Sequence, residues 1–170
     1  EDGLADLAAR TLARGQRMAG ERAALAIAFQ AAEAAFIPIK GGWVAPLAWA
    51  PVASRPMADH DLWSPSAERA AVGRALQALG YREAERTWKH DVWRKPGERV
   101  VDPRGEHPDN PRPVELHSRL GESFRGIGLS LGPPDLGDSA HLLLAQLLAH
   151  ATVDALSRRL IQAQPLLGRL

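Results

Sequence analysis

Three short segments read as strands: Asp59 to Trp63 and Val114 to Leu120 alternate polar and apolar residues, and Arg86 to Arg94 carries Thr87, Trp88, Val92 and Trp93, which favour extended backbone. Helix-type sequence separates the first two and surrounds all three, which restricts the chain to an α/β or α+β layout. Residues 4 to 35 are Ala-rich, with Leu4, Leu7, Leu12, Met18, Leu25, Ile27 and Phe29 at roughly helical intervals. Gly15 and Gly20 predict a break there, giving two helices. Ser66 is a cap candidate for a helix running to Gly80. Asp138-Ser139 caps an apolar helix from Ala140 to about Leu156, with further helix to the end, and residues 121 to 138 read as irregular. The expected organisation is N-terminal helices over 1–35, a core over 36–120, and a C-terminal helical segment over 121–170, packed as one unit.

Composition bounds the chemistry. The 170 residues are 45% hydrophobic and 24% charged, an ordinary balance for a folded domain. With a net charge of +1, the overall balance points to neither DNA nor a membrane partner. No apolar run approaches the roughly 20 residues needed to span a bilayer. The absence of cysteine removes disulfides and thiolate chemistry, and suits a cytoplasmic setting. Because the chain opens at Glu1 rather than Met, it is expected to be a piece of a longer protein.

The chemistry-bearing pattern begins at Phe36 to Ile39, an apolar run read as a strand despite Pro38, which closes in a Lys40-Gly41-Gly42 turn. A short helix is expected over Trp43 to Trp49. Glycines let backbone approach a phosphate, amides at a helix start point toward the anion, and Lys40 adds a cation. Alone, Lys-Gly-Gly is also a common solvated turn.

Residues two apart on a strand share a face, so Asp59 and Asp61 project together, with His60 opposite. Two carboxylates about 6 to 7 Å apart can converge on hard cations such as Mg2+. Glu115 and His117 repeat the spacing on a later strand; a neighbouring strand about 4.8 Å away would bring Glu115 in as a third carboxylate. An Asp-x-Asp pair on a solvated surface is the plain alternative. The ordering favours the site: glycine turn, Asp-x-Asp, then an acidic residue on a later strand.

These residues resemble a known family. Ile39-Lys40-Gly41-Gly42, Arg55, Asp59-His60-Asp61-Leu62, Leu79-Gly80-Tyr81 and Val114-Glu115-Leu116-His117 are similar, in order, to the motifs of the uncharacterised nucleotidyltransferase family of the DNA polymerase beta superfamily. The resemblance covers roughly residues 30 to 120, with an echo around His150. It implies an α+β polymerase beta-like core, a small mixed sheet flanked by helices. Asp59, Asp61 and Glu115 would be the catalytic and metal-binding carboxylates. Lys40, Gly41, Gly42, Arg55 and His117 would bind nucleotide. The cofactor would be Mg2+ or Mn2+, and the substrate a nucleoside triphosphate whose nucleoside monophosphate passes to a hydroxyl on a small molecule, protein or RNA. A catalytically silent binding module and a phosphotransferase are the alternatives. Gly42 stands where the superfamily often has serine, the spacing from Gly42 to Asp59 is longer than usual, and His60 replaces an apolar residue.

Other residues are read plainly. Trp43, Trp49, Trp63, Trp88 and Trp93 are expected mostly in the core. Ser54 and Ser118 lack a Gly-x-Ser-x-Gly context. The histidines form no His-x-x-x-His pair, which counts against a shared zinc site; only His117 is kept, near metal or phosphate. His150 and Asp154 are expected to pair on a helix surface.

Overall fold

The computed structural model describes residues 2–48, 50–102, 107–124, 127–130 and 148. It divides into two compact units, Glu1–Ser118 and Arg119–Leu170. In the first unit, α1 (Asp2–Ala31) leads to β1 (Ile37–Pro38), α2 (Lys40–Ala48), β2 (His60–Trp63), α3 (Arg69–Ala78), β3 (Arg82–Arg86), β4 (His90–Arg94) and β5 (Val114–His117). The five strands form one mixed sheet in the order β1-β2-β5-β4-β3. Only the central β2–β5 pair is parallel. The expected α+β class holds.

In the second unit, β6 (Gly121–Phe124) pairs antiparallel with β7 (Ile127–Ser130), where the sequence reading expected irregular chain. Of the helix expected from Ala140, only Leu148 is among the described residues, and His141, His150 and Asp154 lie outside them. Among the described residues no helix is long and apolar enough to cross a membrane.

The sheet has two chemically distinct faces. Leu62, Trp93, Val114 and Leu116 alternate onto one face and pack with Leu25 and Phe29 of α1 and Val72, Ala75 and Leu76 of α3. Each large side chain removed from water there contributes roughly 1.5–3 kcal/mol. Asp61, Glu115 and His117 fall on the opposite face by the same alternation.

Helix α1 is continuous, not broken. At Gly15 an added Cβ would stand 2.0 Å from the carbonyl oxygen of Ala53, so this glycine serves a close approach of two backbones, and Gly20 faces open space. Leu4 and Ile27 are 76% and 69% exposed, whereas Met18, Leu25 and Phe29 are buried. What α1 turns inward is partly polar: Arg14 and Glu21 stand at helical spacing ahead of Leu25 and Phe29. Arg14, 2% exposed, donates all five of its N–H groups to carbonyl oxygens. They are those of Met57, Ala58, His107, Asn110 and Pro111, at 2.8–3.1 Å. One guanidinium thereby ties the segment entering β2 to the segment entering β5.

Three other elements differ from expectation for local reasons. Of the strand predicted over Arg86 to Arg94, only His90–Arg94 forms β4, which pairs in a hairpin with β3 across a turn at Thr87, whose hydroxyl accepts from the His90 amide at 3.1 Å. Edge strand β3 is exposed throughout and carries no apolar alternation to announce it. Helix α3 starts at Arg69, after a 3-10 turn over Ser66–Glu68, and its N-cap residue is Glu68, which makes no side-chain capping bond. Its end is well specified: Gly80 adopts φ +86°, the Tyr81 amide reaches the Leu76 carbonyl and the Gly80 amide reaches Gln77, both at 3.0 Å.

Candidate functional site

The site grows from the parallel pairing of β2 with β5. Register places Asp61 beside Glu115 and Trp63 beside His117. Strand β4 then runs antiparallel along the other edge of β5, setting His90 opposite His117. One face of three adjacent strands thus carries Asp61, Glu115, His117 and His90, with Asp59 at the residue preceding β2.

Lys40 enters from the sheet edge. Strand β1 pairs with β2 through Ile37 and Pro38, and the edge position tolerates a proline that cannot donate. The Ile39 amide donates to Asp61 O at 3.0 Å, and Lys40 then turns the chain into α2 with φ +47°. That left-handed conformation is uncommon for a residue bearing a side chain. It aims the ammonium back over β2, where Nζ lies 2.6 Å from Asp61 Oδ1 and 3.9 Å from Glu115 Oε2.

The glycines differ in detail from the predicted turn, because helix α2 begins at Lys40 and Gly41-Gly42 form its first turn rather than preceding it. Their close surroundings explain the residue type. A Cβ on Gly41 would meet Arg55 Nη1 at 2.3 Å, and one on Gly42 would meet the Pro38 Cβ at 3.3 Å. Arg55 therefore lies against the helix start, and its charge reaches Asp59 and Asp61.

Electrostatics sort the carboxylates into different states. Burial, reinforced by the negative charges of Asp61 and Glu115, raises Asp59 to about 6. Burial also opposes ionisation of Asp61, but the His117 hydrogen bond at 2.8 Å and the Lys40 ammonium outweigh it and hold this carboxyl well below the usual range. Glu115 is lowered too, chiefly by the His117 imidazole 3.6 Å away. Burial depresses His90. Three carboxylates interact with the Lys40 ammonium while the Arg55 charge reaches two of them, which leaves a local excess of negative charge suited to a cation. Neighbouring carboxyl groups driven in opposite directions mark a chemically specialised site.

The match to known proteins decides the family. A model described as an uncharacterised nucleotidyltransferase matches residues 3–127. The chain belongs to this nucleotidyltransferase family. Neither the curated proteins nor the solved structures contain a match. For this nucleotidyltransferase, the residues that carried the resemblance converge on one region: Lys40, Asp59, Asp61, Glu115 and His117 interact, with Arg55 and Gly41 in contact beside them.

Sequence reasoning did not foresee His90, because only the β4–β5 register brings it to His117, with ring centroids 4.9 Å apart. Arg14 was also unforeseen; an arginine in an Ala-rich helix carries no signal of burial. His60 points to the core face as the alternation required, and Glu21 of α1 receives it there at 3.1 Å. Arg112 grips the same Glu21 with two bonds of 2.8 and 2.9 Å. Of the tryptophans, Trp63 and Trp93 are buried as expected, Trp88 is 50% exposed at the β3–β4 turn, and Trp49 lies outside the described residues.

Proposed function

We propose that this family member is a Mg2+-dependent enzyme that moves a nucleoside monophosphate from a nucleoside triphosphate to a hydroxyl acceptor on a small molecule, protein or RNA. The observation that carries this reading is the side-by-side register of Asp61 and Glu115 on parallel strands, next to Asp59 and under the Lys40 ammonium. The donor set fits the ion: three hard carboxylate oxygens in a region of excess negative charge suit Mg2+ or Mn2+. Asp59, Asp61 and Glu115 would hold it. Bound there, it supplies charge neutralisation on the triphosphate and acidifies the acceptor hydroxyl.

The chain's own groups do the rest. Backbone amides of the α2 first turn, where Gly41 and Gly42 carry no side chains of their own, would donate hydrogen bonds to the triphosphate oxygens. Arg55 and Lys40 add positive charge beside it. His117 holds Asp61 in position on the sheet. The acceptor oxygen, its proton released to solvent, bonds to the α-phosphorus as the bond to the leaving pyrophosphate breaks.

A thermal-shift panel of nucleoside triphosphates, with and without Mg2+, tests the proposal. Binding at a hundredfold excess over Kd stabilises by about 2.7 kcal/mol, a shift of several degrees. The expected result is a shift that requires both nucleotide and Mg2+. A shift independent of metal, or none, overturns it in favour of a binding module; release of nucleoside diphosphate instead of pyrophosphate would mark a phosphotransferase.

A further inference from the structure

Away from the Lys40 side of the cluster, the face of the sheet changes from oxygen-rich to nitrogen-rich. His90 of β4 and Glu115 and His117 of β5 each offer one ligand atom, all within 4.8 Å of one another. His90 Nδ1 lies 3.4 Å and His117 Nε2 3.6 Å from Glu115 Oε2. These separations are long for hydrogen bonds. They match the edge of a tetrahedron with metal–ligand bonds of about 2.0–2.1 Å, which is roughly 3.4 Å. His90 Nδ1 is moreover buried with no hydrogen-bond partner, although it faces the carboxylate. A buried imidazole nitrogen without a partner is costly unless something satisfies it.

We infer that His90, Glu115 and His117 form a binding site for a divalent transition-metal ion of the Zn2+ or Co2+ class, distinct in chemistry from the Mg2+ position at the aspartates. Two imidazoles and one carboxylate suit such ions better than Mg2+, and three protein ligands leave a fourth position open for water or substrate oxygen. Ligation by His117 Nε2 requires its ring proton on Nδ1. Asp61 then gives up the His117 bond and keeps Lys40 at 2.6 Å. Glu115 is shared with the proposed catalytic carboxylates, but the inference does not depend on nucleotidyl transfer.

The test loads the chain with Co2+ and records its visible d–d absorption, which is intense when coordination is tetrahedral, in wild type, Asp59→Asn, His90→Gln and His117→Asn. The expected result is one Co2+ per chain, displaced by Zn2+, retained in Asp59→Asn, and weakened at least about tenfold in His90→Gln. Wild type alone also decides: nitrogen hyperfine coupling is expected in the electron paramagnetic resonance spectrum of the Cu2+-loaded chain, even if the histidine variants do not fold. Lack of that coupling, or Co2+ binding that His90→Gln and His117→Asn leave intact, overturns the inference. A Co2+ site in a chain that shows no Mg2+-dependent nucleotide shift supports it while removing the transferase reading. The Mg2+-dependent shift without any Co2+ site does the reverse.

Discussion

Lys40 Nζ bridges Asp61 on β2 and Glu115 on β5, 2.6 Å from the first carboxylate and 3.9 Å from the second. The bridge joins the residue just before the glycine pair to the two strands whose parallel register defines the site. It also explains why Asp61 and Asp59, two positions apart, titrate in opposite directions: Lys40 and His117 contact Asp61 directly and reach Asp59 only through space.

Replacing Lys40 with Met removes the ammonium from a nearly buried pair, since its side chain is 12% exposed and that of Asp61 is 9% exposed. Breaking such a pair costs about 3 kcal/mol, the low end of the range, because His117 still holds Asp61. Thermal melting without divalent ions is expected to show that loss. Added Mg2+ is expected to recover more stability in Lys40→Met than in wild type, because the ammonium no longer offsets the charge of Asp61 and Glu115.

The pH response of Asp59 follows from its neighbours. Burial and the charges of Asp61 and Glu115 raise it from 3.8 to about 6. A carboxyl with a raised folded-state value stabilises the fold below its unfolded value, and that contribution is lost as pH rises through about 6. In the ion-free protein, Asp59→Asn is therefore expected to melt above wild type at pH about 8, with the difference shrinking toward pH about 4. Mg2+–nucleotide affinity of wild type is expected to rise across the same interval, since protons compete for the ligand.

Arg14 holds the site together from the opposite side of the sheet. Arg14→Lys keeps the charge but cannot serve five carbonyl oxygens with a planar fork. A loss of about 3 kcal/mol or more is expected in denaturant unfolding, because several buried carbonyls lose a charged donor. A folded variant is further expected to bind Mg2+–nucleotide more weakly, as Met57 and Ala58 lead directly into Asp59.

The two glycines of α1 are expected to respond in opposite directions to alanine. Gly15→Ala drives a methyl into the Ala53 carbonyl and costs about 3 kcal/mol, as overpacking does. Gly20→Ala meets nothing within 4 Å and gains about 0.5–1 kcal/mol of helix propensity. Equal melting temperatures for the pair would contradict the close approach.

The legible parts of the sequence were those governed by local rules. Strand alternation put Asp61 and Glu115 on one face and His60 on the other, and Leu79-Gly80-Tyr81 marked a helix end that only a left-handed glycine could close. What escaped depends on distant partners. Gly15 reads as a helix breaker until Ala53 is known to lie against it, and Arg82 to Arg86 shows no pattern because an exposed edge strand needs none. His90 is 27 residues from His117, and only strand register makes them neighbours. His60 is acceptable in the core because Glu21, 39 residues earlier, waits there for it.

A crystal structure of the protein with Mg2+ and a non-hydrolysable nucleoside triphosphate tests the proposed site most directly. Metal density coordinated by Asp59, Asp61 and Glu115 together with phosphate oxygens is expected, with the triphosphate seated against Gly41 and Gly42. A nucleotide bound elsewhere, or metal density away from these three carboxylates, would contradict the proposal.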